Sequence, residues 1–222
     1  MTVPEGEVRA EEAPRLVIRN ATLEDVPAIR SLSRTVYGDE LAYTLGNIRG
    51  QINNFPEGQF VADYGGKVVG YCATFITREA LALEDHTWME ITGGGFASRH
   101  DPDGDVLYGM EVVVDPGFRR LRIGQRLYRK RRELCEYFEL KGIIFGGRMP
   151  GYARRLSQYP DPRGYVDAVV EKSIRDQVVS FQIAQGFEPL GVIPNYDPTD
   201  KSSRGHAVRM YWRNPLAAED AS

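Results

Sequence analysis

Hydrophobic and polar positions along this chain follow two periods, one typical of helices and one typical of strands. Residues 16–20 form a short apolar run that predicts a strand. Apolar side chains then recur at helical spacing over residues 26–36, which predicts a helix with one buried face, capped by Thr22 or Asp25. A second helix is predicted over residues 40–53, because a proline follows shortly after.

The clearest local signal is a β-hairpin. Residues 59–64 and 67–75 are rich in β-branched and aromatic residues, and Gly65-Gly66 joins them. Paired glycines supply the positive φ angles that a tight hairpin turn needs. The same reasoning predicts strands over 106–114, 142–147, 187–193 and 206–212, and helices over 123–140 and 175–185. This order predicts the α/β (α+β) class, with a mixed central sheet flanked by helices.

Two segments are too long to be plain connections. Residues 78–105 and 149–172 each exceed the roughly 15 residues beyond which a loop in a compact domain is usually functional or disordered. Both contain aromatic side chains among glycines and polar residues. We therefore expect two long inserts that pack over a site.

Length and composition predict one folded domain. The chain has 222 residues, of which 42% are hydrophobic, enough for a single core. The first residues are rich in glutamate and poor in apolar side chains, which is typical of a mobile leader. We predict a leader over residues 1–14, one domain over residues 15–214 and a tail over residues 215–222.

Charge and cysteine content indicate which partners and which cellular compartment to expect. The net charge of −3 gives no support for a nucleic acid partner, and no run approaches the roughly 20 apolar residues that span a bilayer. Cys72 and Cys135 lie in apolar segments, which predicts buried free thiols in a reducing compartment. We expect a cytoplasmic protein with no membrane or nucleic acid partner, and no residue pattern assigns a metal site.

Residues 112–127 carry the most informative pattern. A β-branched strand ends at Asp115-Pro116, a short basic loop follows, and a helix begins near Ile123 with Gly124 in its first turn. The free N–H groups and positive dipole at the start of a helix attract anions, and a glycine there lets a phosphate approach the backbone. The segment therefore predicts a phosphate-binding loop.

The charge of this segment supports that prediction. Residues 119–132 contain eight basic residues and no acidic one, in a chain that is acidic overall. Guanidinium groups suit phosphate oxygens, so we expect Arg119, Arg120 and Arg122 to bind phosphate. The alternative is a solvated basic helix face, and residues 129–132 fit that interpretation as well.

These residues resemble the acyl-CoA motif of the GNAT superfamily of acyltransferases. Pro116, Arg119 and Gly124 match the motif, whereas Arg122 replaces its middle glycine. The resemblance implies the GNAT fold, acetyl-CoA as cofactor, pyrophosphate on the loop amides and pantetheine along residues 110–114. The cofactor-binding residues that we assign are Val112, Val113, Val114, Arg119, Arg120, Leu121, Arg122, Ile123, Gly124 and Gln125.

A second resemblance concerns the inserts. Residues 87–95, 100–109 and 141–152 are similar to segments of GNAT domains that are fused to carbon–nitrogen hydrolase (nitrilase-like) domains. We therefore expect either a hydrolase partner or a homodimer.

Acyl transfer to an amine needs a base for the ammonium group and an acid for the departing thiolate. Glu111 lies in an otherwise apolar strand, which favours a raised pKa and a role as base; the alternative is a carboxylate paired with an arginine. The GNAT resemblance implies a tyrosine as acid four residues before Gly186, but Gln182 occupies that position. Gln182 can hydrogen-bond the sulfur, and Tyr152 or Tyr196 can replace the acid unless they only pack.

Two function hypotheses follow. The first is an N-acetyltransferase that moves the acetyl group of acetyl-CoA to a primary amine of a small molecule or of a protein lysine. The second is a non-catalytic acyl-CoA-binding module that works with a hydrolase partner, which Gln182 and the second resemblance motivate. Glu90 and His100, in the first insert, are secondary catalytic candidates.

Overall fold

A computed structural model describes residues 14–217. Nearly all of the predicted leader and most of the predicted tail lie outside the described residues. Within them, seven strands form one sheet in the order β1-β2-β3-β4-β5-β7-β6. The strands are β1 (Leu16–Asn20), β2 (Gln59–Tyr64), β3 (Lys67–Thr77), β4 (Val106–Val114), β5 (Gly142–Gly147), β6 (Glu188–Ile193) and β7 (Ala207–Arg213).

The sheet is mixed, and helices flank both of its faces. β4 and β5 run parallel, whereas every other neighbouring pair in this sheet is antiparallel. The predicted class is therefore confirmed. The helices are α1 (Val26–Tyr37), α2 (Leu45–Asn54), α3 (Glu79–Leu83), α4 (Trp88–Thr92), α5 (Ile123–Tyr137), α6 (Pro162–Val170) and α7 (Val179–Ala184). No helix in the described part of the chain has the length and apolarity needed to cross a bilayer.

Alternate residues of β3 show which helices cover which face. The hydroxyl of Tyr71 donates to Gln51 of α2 at 2.8 Å, so α2 packs on one face of the sheet. The neighbouring Gly70 points the other way, where a methyl group would lie 2.8 Å from Ile123 of α5. We call these the α2 face and the α5 face.

Three helix boundaries differ from the prediction because of local backbone constraints. α2 begins later than predicted, since Thr44 Oγ1 accepts the N–H of Asn47 at 3.1 Å and caps the helix there. α7 also begins later, because the Asp176 carboxylate accepts the N–H of Val179 at 3.1 Å. α5 ends earlier, before Glu139, whose φ of 54° cannot continue a right-handed helix.

The predicted hairpin and buried thiols are confirmed. β2 and β3 are antiparallel neighbours, and the glycines that join them, Gly65 and Gly66, have φ angles of 59° and 86°. Glycine adopts such angles without steric cost, so the turn closes tightly. Cys72 and Cys135 are both free and buried.

The two inserts are folded segments rather than loose loops. Residues 78–105 contain α3 and α4, and residues 149–172 contain α6. Trp88, the first residue of α4, donates its backbone N–H to the carbonyl of Tyr196 at 2.7 Å. Its indole N–H donates to the carbonyl of Met110 at 3.3 Å. The first insert thus reaches β4, as expected of a segment that covers a site.

The parallel strands β4 and β5 separate soon after they meet. Their paired positions are Leu107 with Ile143 and Tyr108 with Ile144. Beyond these, β4 continues beside β3 and β5 continues beside β7, and a bulge on β4 at Met110 accompanies the separation. The wedge between the diverging ends of β4 and β5 is called the β4–β5 cleft below.

At Gly142, its first residue, β5 packs closely against β7. A methyl group at Gly142 would overlap the carbonyl oxygen of Trp212 on β7. We expect Gly142→Ala to lower the free energy of unfolding by about 1–3 kcal/mol, the usual cost of overpacking. Gly164→Ala is the matched control: its methyl group would meet no atom within 4 Å, and it should stabilise α6 by about 0.5–1 kcal/mol. Urea unfolding measures both, and equal stabilities would contradict this packing.

Candidate active site

The chain from β4 to α5 forms a loop that ends at an uncapped helix. Residues 116–121 make a 3-10 turn, and Asp115 fixes its start by accepting the N–H of Gly117 at 2.9 Å. No side chain caps the first turn of α5, so its first N–H groups are free and carry the positive end of the helix dipole. Gly124 leaves the approach open, since a methyl group there would only touch the ring of Phe181 at 3.4 Å.

Arg122 joins this loop to α5 in a conformation that is rare for arginine. Its φ of 55° and ψ of 32° lie in the left-handed region that glycine favours. The GNAT motif has a glycine at this position, so the backbone conformation suits the motif although the side chain differs. The arginine adds positive charge beside the helix start, and its backbone conformation costs about 1–2 kcal/mol.

Three arginines beside the helix start lack an acidic partner. Arg119, Arg120 and Arg122 are exposed, and none of the acidic side chains in residues 14–217 pairs with them. By contrast, Arg129 further along α5 forms an ion pair with Glu133. The loop arginines are thus free to bind an anion, whereas Arg129 belongs to a solvated face of the helix. The interpretation of residues 129–132 as one solvated basic face is wrong for Arg131, which is buried.

The β4–β5 cleft presents a strand edge that has no strand partner. Past Tyr108, the side of β4 that faces β5 is free of ladder hydrogen bonds. The carbonyl of Met110 accepts the indole N–H of Trp88, and residues 112–114 continue the edge toward the loop. An extended ligand that contains amide groups can pair with such an edge as an added strand.

Glu111 lies on β4 at this cleft, on the α2 face. Its Oε1 accepts the hydroxyl of Tyr37 and the N–H of Val112, both at 2.8 Å, and its Oε2 accepts the hydroxyl of Tyr43 at 3.0 Å. Burial raises the pKa of Glu111, although these hydrogen bonds and the charge of Arg148 oppose the rise. Its hydrogen-bond partners are tyrosines and a backbone N–H rather than an arginine, and the raised pKa increases its affinity for a proton.

Arg148, which follows β5, forms a bidentate ion pair with Asp200. Its Nε and Nη2 donate to the two carboxylate oxygens at 2.7 and 2.8 Å. Burial alone would raise the pKa of Asp200, but hydrogen bonds from Arg148, Ser202 and Ser203 lower it well below its usual range. The pair fastens the connection between β6 and β7 to the end of β5.

A chain of polar side chains lies beside the cleft, with two buried tyrosines and a half-buried histidine. The hydroxyl oxygens of Tyr108 and Tyr196 are 3.0 Å apart, and Nε2 of His86 lies 2.8 Å from the hydroxyl of Tyr108. Burial lowers the pKa of His86 and raises the pKa of both tyrosines. The ring of Tyr196 covers Gly146 on β5, where a methyl group would overlap it. Tyr196 is therefore at the cleft.

The other two predicted catalytic residues lie in different places. Gln182, on α7, is buried against β5, since a methyl group at Gly147 would overlap its Oε1. Tyr152 donates its hydroxyl to the carbonyl of Pro160 at 3.2 Å, within the second insert. The structure thus brings Gln182 to the cleft and gives Tyr152 no contact with Glu111.

The secondary candidates Glu90 and His100 have structural roles. Glu90 accepts the N–H and the hydroxyl of Thr87, both at 2.8 Å, and so completes the cap of α4. His100 stacks on Phe55, and its Nδ1 accepts the N–H of Ile76 at 3.2 Å. Neither side chain contacts Glu111, so the structure gives no support for a role of either in catalysis.

Sequence reasoning missed several residues of this site. Tyr37 and Tyr43, which hold Glu111, lie 74 and 68 residues from it in the sequence. Arg148 and Asp200 are 52 residues apart. No local pattern marks such pairs, because each side chain gains its role from a distant partner.

Comparison with known proteins agrees with this geometry. The family model described as the acetyltransferase (GNAT) family matches residues 25–150, from the start of α1 to just past the end of β5. This chain belongs to the GNAT acetyltransferase family. The predicted family is thereby confirmed.

Two relatives from Bacillus subtilis cover most of this GNAT chain. The probable hydrolase YhcX is 36% identical over 200 residues, which are 90% of this chain but 39% of YhcX. The chain thus spans about two-fifths of that relative's length. The uncharacterized N-acetyltransferase YkwB is 32% identical over 203 residues, 90% of this chain and 89% of YkwB.

Solved structures confirm the GNAT fold. The GNAT-like decarboxylase GphF, in complex with isobutyryl-CoA, has a TM-score of 0.75 at 21% identity, over 89% of this chain and 99% of that one. The loading GNATL domain of CurA from Lyngbya majuscula has a TM-score of 0.76 at 18% identity, over 90% and 98%. YncA from Salmonella typhimurium, solved with acetyl-CoA, has a TM-score of 0.55 at 15% identity, over 93% and 99%.

The raised pKa of Glu111 predicts a pH-dependent stability. Because the folded pKa exceeds the unfolded value of about 4.3, the contribution of this group is complete below that pH and is lost as the pH rises through the folded pKa. Glu111→Gln does not titrate, so its free energy of unfolding should decline less than that of the wild type as pH rises above about 4.3. Urea unfolding across a pH series measures this, with the exposed Glu40→Gln as control. Parallel curves for wild type and Glu111→Gln would contradict the shift.

Proposed function

We propose that this chain transfers an acyl group, acetyl first of all, from acyl-CoA to a primary amine. The observation that carries the proposal is the arrangement along β4, with an uncapped, arginine-rich helix start at one end of a free strand edge and Glu111 at the other. Residues 110–114 span about 13 Å at the usual rise of a strand, which suits an extended pantetheine arm.

The residues at the loop and the strand fit the two polar parts of CoA. Free N–H groups and arginines suit its diphosphate, and the free edge of β4 suits the amide groups of its pantetheine arm. The residues that we assign to the diphosphate are Arg119, Arg120, Leu121, Arg122, Ile123, Gly124 and Gln125, and those assigned to the arm are Val112, Val113 and Val114. CoA supplies the activated thioester. The acyl-CoA bound to GphF and to YncA supports this assignment.

Glu111 is the base in this proposal. An amine reaches the cleft as an ammonium ion and must lose a proton before its nitrogen can attack the thioester carbonyl. The hydroxyls of Tyr37 and Tyr43 fix the carboxylate, and the raised pKa increases its affinity for the proton. The acceptor would therefore enter from the α2 face.

Catalysis is better supported than the alternative of a non-catalytic acyl-CoA-binding module. The chain matches nearly the whole of YkwB, which is named as an N-acetyltransferase. A carboxylate with a raised pKa at the end of the cleft has no evident use in a module that only binds CoA.

We also propose a hydrolase as the partner of this domain. The similarity to two-fifths of the probable hydrolase YhcX supports this proposal, as does the resemblance of the inserts to hydrolase-associated GNAT domains. A homodimer is the alternative. Light scattering of the purified chain, alone and with a candidate hydrolase, distinguishes the two.

Loss of the loop charge should weaken CoA binding. Arg119→Ala removes a charge-assisted hydrogen bond, so the Kd for acetyl-CoA should rise about 10- to 100-fold. Gly124→Glu should weaken binding further, because it places bulk and negative charge at the helix start. Calorimetric titration measures both, with Arg129→Ala, further along α5, as the matched control for loss of one arginine. If both variants bind like the control, the loop does not hold the diphosphate.

Removal of the base should slow turnover and spare CoA binding. Glu111→Gln keeps the size of the side chain and removes its charge, so kcat should fall about 10²- to 10⁴-fold, the usual contribution of a general base. Thiol release from acetyl-CoA, measured with a panel of primary amines, reports kcat, and titration reports the Kd. A wild-type rate in Glu111→Gln would exclude this residue as base.

A further inference from the structure

Tyr128 lies on the buried side of α5, in a pocket of aromatic rings on the α5 face of the sheet. Its ring centroid is 5.3 Å from that of Phe181, 5.5 Å from that of Phe187 and 6.1 Å from that of Phe145. Its hydroxyl oxygen lies 3.3 Å from Nε2 of Gln182. Tyr128 is 4% exposed, and this amide and the guanidinium of Arg131 are the hydrogen-bonding groups beside its hydroxyl.

This contact places a phenol beside the position at which the GNAT resemblance implies a tyrosine. Gln182 occupies the α7 position at which the family resemblance implies a tyrosine, and its amide meets the hydroxyl of Tyr128 instead. Tyr128 follows Gly124 by four residues, one helical turn further from the phosphate-binding loop. α5 therefore supplies the hydroxyl that α7 lacks.

The register of the strands places both this pair and Glu111 at the cleft, past the last paired residues of β4 and β5. Tyr108 and Ile144 are the last paired residues of β4 and β5, and three residues further along each strand are Glu111 and Gly147. The Gln182 side chain lies against Gly147. Glu111 contacts tyrosines on the α2 face, and Tyr128 belongs to the α5 face, so the two lie on opposite faces of the sheet at the cleft.

The hydrogen-bond pattern leaves the proton of Tyr128 free to be donated. The amide N–H of Gln182 donates, so the phenol oxygen accepts, and its own O–H donates to no group among the described residues. The Oε1 of Gln182 has no partner either. A buried hydroxyl with a free donor at the edge of a ligand cleft is suited to give a hydrogen bond to that ligand.

Arg131 supplies the charge that a phenolate would need. Its guanidinium lies 4.3 Å from the centroid of Tyr128 and is 2% exposed, and no carboxylate in residues 14–217 pairs with it. Its Nε and Nη2 have no hydrogen-bond partner. A buried cation without an anion is costly, and an anion formed beside it is strongly stabilised.

The electrostatics of Tyr128 keep it protonated at rest, and its polar neighbours limit the rise of its pKa. Burial raises the pKa of Tyr128, while the charge of Arg131 and the hydrogen bond from Gln182 oppose the rise. Cys72 on β3 is the other titratable group that acts on it. The phenol thus retains its proton at neutral pH, as a general acid must before the reaction begins.

We propose that Tyr128 is the proton donor to the CoA thiolate, with Gln182 and Arg131 as its positioning residues. The inference rests on the proposed function. The amine nitrogen forms a bond to the thioester carbon, the carbon–sulfur bond breaks, and its electron pair stays on sulfur. The sulfur takes the proton of Tyr128, which gives the free thiol and a phenolate beside Arg131. Solvent then returns a proton to Tyr128, removes the proton held by Glu111, and takes the second proton that the nitrogen loses as it becomes an amide.

Tyr128→Phe tests this role with the loss of a single oxygen atom. We expect kcat for acyl transfer to fall about 10²- to 10⁴-fold, while the Kd for acetyl-CoA stays within about twofold. Tyr137→Phe is the matched control, because this tyrosine is on the same helix and 78% exposed. A Tyr128→Phe variant that turns over like Tyr137→Phe overturns the role of Tyr128 and leaves the proposed function intact. A wild type without thiol release on any amine, despite binding acetyl-CoA, overturns the proposed function itself.

The pH profile gives a readout that a purely structural role would not change. At high pH the wild-type kcat should fall as Tyr128 ionises, and this fall should be missing in Tyr128→Phe. Adding Gln182→Tyr to Tyr128→Phe returns a phenol from α7 and should recover at least tenfold in kcat. Identical high-pH limbs in the wild type and in Tyr128→Phe overturn the proposal, as does a folded double variant that binds acetyl-CoA and recovers nothing.

Discussion

The hydrogen-bond ladder between β4 and β5 covers only two residue pairs, and the arrangement of the site depends on this early end. Parallel strands normally continue to pair while both remain in the sheet. Here the bulge at Met110 turns β4, and the indole of Trp88 occupies its carbonyl. The ring of Tyr196 covers Gly146 on the other strand. Side chains thus lie against β4 and β5 where the ladder between them ends. The edge of β4 beyond this point has no strand partner, so a ligand can pair with it as a strand would.

Several groups near the cleft lie in environments that lower the stability of the folded state. Glu111 is held where burial raises its pKa, Arg131 is buried without a carboxylate partner among residues 14–217, and Arg122 adopts a left-handed backbone. Each departs from what favours stability alone, and all three lie along the path proposed for acyl-CoA. Proteins tolerate such departures where function requires them and offset them elsewhere.

The two faces of the sheet divide the proposed chemistry. On the α2 face, tyrosines near the end of α1 hold Glu111, which serves the incoming amine. On the α5 face, Tyr128 and Gln182 serve the departing sulfur. This separation keeps base and acid from neutralising each other while both remain near the same thioester. In this proposal one family position loses its tyrosine without loss of the phenol, because Tyr128 on a neighbouring helix contacts the residue at that position.

The sequence by itself determined the hairpin, the strand order along the chain and the basic loop before α5, because hydrophobic period, paired glycines and a basic helix start act over a few residues. It also marked Glu111, a carboxylate in an apolar strand. Only the tertiary structure decided which side chains meet that carboxylate, why Tyr152 stays within its insert, and that Tyr128 meets Gln182 across 54 residues. Such contacts depend on helix packing and on the register of β4 and β5, and no local pattern encodes either of them.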